Sequence, residues 1–234
     1  MTPPAPIPPP PSPSAAALSQ ALAGVPCTLL RATAGVDGRV GVAGLVGTAA
    51  AEDTALQHAA GAAIWTVRRF DGPYCPVLDL LRALPDAALG AAPGLALAQD
   101  GGPATLQDNE LIALHATMPG FAGFLHVAYV QHDEQRHGPA TASPLVPGPG
   151  YPAQTYPARA SVALGSPGWT VGPPFGTDMI VAIVSTAPLF TKPPPADQPL
   201  PAYLASLGSA IDGLRRRGGT VSATATVLDT RPGP

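Results

Sequence analysis

The chain has 234 residues, enough for one large domain or two small ones, and 46% of them are hydrophobic, which separates it from disordered sequences despite its 32 prolines and 26 glycines. Only 12% of the residues are charged and the net charge is −3. Arg215, Arg216 and Arg217 form the one dense basic cluster, so nucleic acid is not an expected partner, and no apolar run reaches the roughly 18 residues of a membrane helix, so no membrane insertion is expected in this chain.

Residues 1–14 form a proline-rich linker or leader. "TPPAPIPPPPSPS" should be extended and solvated, a semi-rigid spacer, and no basic and apolar export signal is visible in it. Residues 15–90 read as a small α+β domain in the order helix, strand, strand, helix, strand, helix. The hairpin is signalled by "CTLLRAT" and "RVGVAGLV" around Val36-Asp37-Gly38, since Asp-Gly supplies the positive φ angles of a tight turn. Val40, Val42 and Val46 fall on one face of its second strand. Thr48 is the expected N-cap of "AAAEDTALQHAAGAA", with Glu52 and Asp53 near the positive end of the helix dipole. "IWTVRRF" is the third strand, and Pro76 opens the helix "CPVLDLLRAL".

Cys27 and Cys75 flank elements of this one small unit. As a disulfide they would close a loop worth about 4 kcal/mol on the loop-entropy model, and such pairing belongs to oxidising compartments. Two reduced, buried thiols in a cytosolic protein are the alternative. A zinc site is not expected, because two cysteines without neighbouring histidines fall short of four ligands.

The Ala-, Pro- and Gly-rich stretch from Pro85 to Pro103 is where a domain boundary is expected, and residues 91–234 are expected to form a mostly β, sandwich-like domain with one amphipathic helix and a final strand. "ELIALHATM", "GFLHVAYVQ", "RASVAL" and "MIVAIVS" are its strand candidates, whereas His137 to Tyr156 is too proline-rich for a central strand. "MIVAIV" does not alternate, so both its faces should be covered. Leu200, Leu204, Leu207, Ile211 and Leu214 recur at helical spacing, with Asp197 as the expected cap, the three arginines at the negative end and Gly218-Gly219 as the stop. "TVSATATVL" alternates as a last strand.

The stretch "VGPPFGTDMIVAIVSTAPLF" opens on a structural loop. Pro173 and Pro174 fix an extended approach, Phe175 is an apolar anchor between layers, and Gly176 lets the chain turn where a Cβ would clash. Together with "GFLHVAYVQ" upstream, this stretch resembles the bacterial domain-of-unknown-function family numbered four-three-eight-four, often found C-terminal to serine/threonine kinase or caspase-like peptidase modules. The resemblance covers roughly Leu106 to Phe190, with "PPFG" and the following apolar strand as its most specific part. It implies a β-sandwich-like accessory or sensory module with no assigned catalytic residues. The chain departs from that pattern between Gln131 and Tyr156, and the N-terminal unit loosely resembles BON-like domains of bacterial envelope proteins in its strand order.

The densest polar cluster, "HVAYVQHDEQRH", holds His126, His132, Asp133, Glu134 and His137. Imidazole and carboxylate are the usual zinc ligands and general bases, so a metal-dependent hydrolase using the His126 to His137 region is the alternative function. No HExxH spacing supports it, and a solvated hairpin end is the preferred interpretation. His115 and His126 fit as structural histidines within strands, and His58 as a surface residue. No GxSxG elbow, GK[ST] or GxGxxG loop is present. Trp65, Trp169, Tyr129 and Phe175 are expected to fill cores. The expected function is therefore non-catalytic and extracytoplasmic, at a periplasmic or surface location, without cofactor. A protein partner or self-association is expected through the sparsely charged β domain.

Overall fold

The computed structural model describes residues 14–35, 38–60, 62, 64–84, 93–97, 105–132, 140–147, 153–165, 169–192 and 194–233. The proline-rich leader up to residue 13, the Val36-Asp37 turn, and Asp133, Glu134 and His137 of the polar cluster lie outside them.

The first part of the chain runs α1 (Ala15–Leu22), β1 (Thr28–Ala34), β2 (Val40–Val46), α2 (Ala49–His58), β3 (Ile64–Arg69) and α3 (Cys75–Arg82), the expected order. The β1–β2 pair is antiparallel, and β3 lies parallel to β2 because α2 carries the chain back across the sheet. Thr48 caps α2, its side chain accepting from the Ala51 amide at 3.1 Å. Leu18, Leu22, Val42 and Ala55 close one face of this sheet under α1 and α2. Leu29 and Leu45 point the other way.

The remaining elements are β4 (Gly94–Leu97), β5 (Thr105–Gln107), β6 (Leu114–Thr117), β7 (Gly123–Gln131), β8 (Thr141–Val146), β9 (Thr155–Tyr156), β10 (Ser161–Leu164), β11 (Thr177–Ser185), β12 (Gln198–Pro199), α4 (Leu200–Arg216) and β13 (Val221–Arg231). Strands β12, β8, β7, β11, β13 and β5 lie in that order in a seven-stranded sheet, with β9 paired to β7, and β10, β6 and β4 form a separate three-stranded sheet. The result is a mixed α and β structure dominated by strands.

Strand β11 is the axis of the large sheet, antiparallel to both β7 and β13. Its residues from Asp178 to Ser185 are all buried, as the non-alternating "MIVAIV" run predicts. Ile180, Ala182 and Val184 face the small sheet, with Leu114, Met118 and Leu164. Met179, Val181 and Ile183 face α4 and α3. That second cluster also includes Leu29, Leu45, Phe70 and Tyr74, so a single apolar interior takes side chains from both the early and the late parts of the chain. Polar ties reinforce the junction. The Tyr74 hydroxyl donates to the Thr177 carbonyl at 2.6 Å, Arg68 donates to the Val227 carbonyl at 2.7 Å, and the Arg31 guanidinium donates to the Ala223 carbonyl.

The α4 stripe is Leu200, Tyr203, Leu207, Ile211 and Leu214, with Leu204 only partly buried beside it. Burial of each such side chain is worth about 1.5–3 kcal/mol. Asp197 does not cap the helix. Pro199 holds the N-cap position without a side-chain bond, and the Asp197 carboxylate instead accepts from the Ser143 hydroxyl at 2.6 Å, at a residue whose φ of 53° turns it away from the helix. One further expectation is corrected. The proline-rich stretch before Tyr156 contributes β8 between β7 and β12, and β12 is two residues long, so Pro144 sits close to the sheet's edge where a missing amide is tolerated. The expected last strand is present as β13, which lies inside the sheet and is buried on both faces over much of its length.

Candidate functional site

The sulfur atoms of Cys27 and Cys75 are bonded, with Cα atoms 4.4 Å apart. Gly47 is dictated by this bond, since a Cβ there would lie 2.4 Å from the Cys27 sulfur. Asp79 accepts from the Cys27 amide at 2.8 Å and from Arg82 at 3.0 Å, anchoring α3 beside the staple.

At the Ser185 end of β11, on the α4 side, lies an open cavity of about 550 Å³. Its walls are apolar: Phe124 and Leu125 from β7, and Ala187, Pro188, Leu189 and Phe190 from the segment that leaves β11. His126 lines it as well, only 4% exposed. The ring lies 5.4 Å from that of Phe190, and its Nε2 is 2.8 Å from the Tyr203 hydroxyl on α4. Burial lowers the imidazole pKa to about 4, which keeps the ring neutral, and raises that of Tyr203. Arg217, at the C-terminal end of α4, is the one charged residue on the lining among the described residues and is exposed.

The second polar centre is at the opposite end of β11 and on its opposite face. Asp178 is 1% exposed. Its Oδ2 accepts from the Tyr129 hydroxyl at 2.6 Å and lies 3.2 Å from the Thr230 hydroxyl. Its Oδ1 is buried without a hydrogen-bond partner among the described residues. Burial raises the carboxyl pKa to about 7 and Asp229 adds to this, while the bonds from Tyr129 and Thr230 and the His132 backbone amide oppose it. The Tyr129 phenol is itself raised by burial and by Asp178.

The 173–176 loop wraps this centre. The Pro173-Pro174 bond is cis, the Pro174 carbonyl accepts from the Gln131 amide group at 3.0 Å, and the Gly176 amide donates to the Thr230 hydroxyl at 3.0 Å. Phe175 is partly buried against the small-sheet side of the core. Nothing lies within 4 Å of a Cβ placed on Gly176, so crowding does not explain that glycine; its φ of 156° does. A shallower hollow of about 380 Å³ adjoins the loop, lined by Tyr129, Trp169 and Pro173 among others.

The two described histidines of the polar cluster on and after β7 lie apart. His126 faces α4, whereas His132 follows the strand at the other end with its Nδ1 buried and without a hydrogen-bond partner among the described residues. Among the described residues no group of three or more His, Cys, Asp or Glu side chains could hold a metal ion. His115 is exposed on the small sheet, which corrects its assignment as a hydrogen-bonded structural histidine; the strand is covered on one face only. Trp65 packs against the α1 and α2 side of its sheet, and Trp169 and Tyr129 against the core between the two β-sheets.

Sequence reasoning missed Asp178 and Arg217 as site residues. Asp178 reads as a turn residue, yet it is two positions before Ile180 on a strand buried on both faces, so alternation alone places it inward. Arg217 has a sufficient helix-dipole explanation, and nothing local in the sequence shows that the segment around Phe190 folds back beside it. No family model, curated protein or solved structure matches the chain.

Proposed function

We propose that this chain is a non-catalytic binding module working outside the cytoplasm, as a sensory or accessory region or as a subunit of an envelope assembly. The apolar cavity beside His126 carries this reading. At about 550 Å³ it lies within the ordinary size range of small-molecule sites, and its largely apolar lining with a few convergent polar groups has the composition of such sites. His126, with its pKa lowered to about 4 by burial, is a weak base near neutrality, and Tyr203 occupies its Nε2. The Cys27–Cys75 bond supports an oxidising compartment, and no described helix is long and apolar enough to cross a membrane.

Association with a protein partner belongs to the same proposal, although the outer strands of the seven-stranded sheet are short. β12 has 2 residues and β5 has 3, which offers little template for edge pairing.

Thermal denaturation with a panel of small apolar and amphiphilic compounds, alongside metal analysis after dialysis, tests the reading. A midpoint that rises saturably with one compound class and an absence of stoichiometric metal are expected. Bound zinc with hydrolytic turnover would overturn it in favour of a metal-dependent hydrolase in the His126 to His137 region. A midpoint indifferent to every compound would leave the cavity without a role and overturn it equally.

A further inference from the structure

We infer that the cavity beside His126 takes a small amphiphilic anion, a medium-chain carboxylate whose tail lies along Phe124, Leu189 and Phe190 and whose head group pairs with Arg217 at the mouth. The inference rests on the binding reading above and adds the chemistry of the ligand. Charge on the lining is one-sided: among the described residues Arg217 is a cation and no carboxylate side chain is present there. Arg217 makes no salt bridge or side-chain hydrogen bond to another described residue, and its guanidinium presents a fork of donors suited to a carboxylate.

Depth separates the two ends of the site. The inner wall offers the buried ring of His126, already engaged with Tyr203, and the side chain of Ser185, whose hydroxyl donates to the Ala187 carbonyl at 2.7 Å. Those polar groups are committed to the protein, so a charged head group would lose its hydration there without compensation. The exposed rim is where an anion keeps part of its water and gains the guanidinium. An acyl chain directed inward removes its methylene groups from water at about 0.8 kcal/mol each. A fully polar ligand gains nothing from this wall, and a cationic amphiphile meets Arg217 at the entrance.

The experiment is isothermal titration of the purified chain with decanoate, decanol and decyltrimethylammonium below their aggregation concentrations, repeated with Arg217→Gln. Decanoate should bind most tightly, and Arg217→Gln should weaken it by about three- to tenfold while leaving decanol unchanged. Added salt should weaken decanoate and spare decanol. If the cationic compound binds as tightly as decanoate, or if Arg217→Gln leaves decanoate unaffected, the anion assignment fails and an apolar binding site stands. If none of the three binds saturably, the assignment and the binding role of this cavity fall together.

Discussion

His126 and Asp178 are buried at opposite ends and on opposite faces of one sheet, and desolvation acts on both in the same direction, toward the uncharged form. The outcome differs because one is a base and the other an acid. His126 moves down to about 4 and is neutral throughout the physiological range. Asp178 moves up to about 7, where protonated and ionised forms coexist. Their surroundings match this difference. His126 sits between two aromatic rings beside an apolar cavity, whereas Asp178 is held by hydroxyls and by a loop tied to β13. A buried polar group with a committed partner can be scaffold for a binding wall, and a carboxyl whose pKa burial raises to about 7 responds to pH.

The strongest way to break the contrast is to empty the His126 end. Tyr203→Ala removes a fully buried aromatic and leaves the imidazole without its partner, and should cost about 3–5 kcal/mol in urea denaturation. Tyr129→Phe at the other end removes only a hydroxyl and should cost about 1 kcal/mol. Equal losses would show that the two ends are not differently built. Breaking the Cys27–Cys75 bond as a double alanine variant bears on neither end directly. With the cysteines 48 positions apart, it should lower stability by about 4 kcal/mol while leaving the difference between the two tyrosine variants intact.

Titration sharpens the comparison further. Asp178 has a folded pKa raised from 3.8 to about 7, so its stabilisation is fully present below 3.8 and is lost as pH rises through about 7. His126 has a folded pKa lowered from 6.5 to about 4, so its contribution is present above 6.5 and is lost as pH falls through about 4. Between about pH 4 and 6.5 the two slopes oppose each other by one proton each. Asp178→Asn should therefore tilt stability so that it rises with pH across that window relative to the parent, and His126→Gln should tilt it the other way, each by about 2–3 kcal/mol. Denaturation midpoints at three pH values measure both, and parallel curves for the two variants would refute the opposition.

A further modest effect concerns the 173–176 loop. Deep burial of Phe175 would make its truncation cost several kcal/mol, but the ring is only partly buried, and Phe175→Ala should cost about 1–2 kcal/mol by chemical denaturation. A larger loss would mean that the loop, more than Tyr129, holds the Asp178 end together.

Local patterns announced a large part of this architecture. Every element up to Arg82 has its own period, cap or turn residue, and Gly123–Gln131 and the core of β11 coincide with their apolar runs. The losses occurred where the signal is tertiary. β5, β9 and β12 are two or three residues long, too short for a period, and exist because a neighbouring strand offers a ladder. The cavity is also illegible in sequence, since it arises where the segment after β11 returns to α4 and Phe190 meets His126, 64 positions apart in the numbering.

Strand β13 lies between β11 and β5 and pairs with both. Until it arrives, one edge of the most apolar strand in the molecule is unpaired, and α4 lies between the two strands in the chain. Assembly of the sheet thus depends on closing long loops late. It should proceed on the millisecond-to-second scale of nonlocal β topologies, with β11 as the segment most in need of a chaperone's cover in the interval.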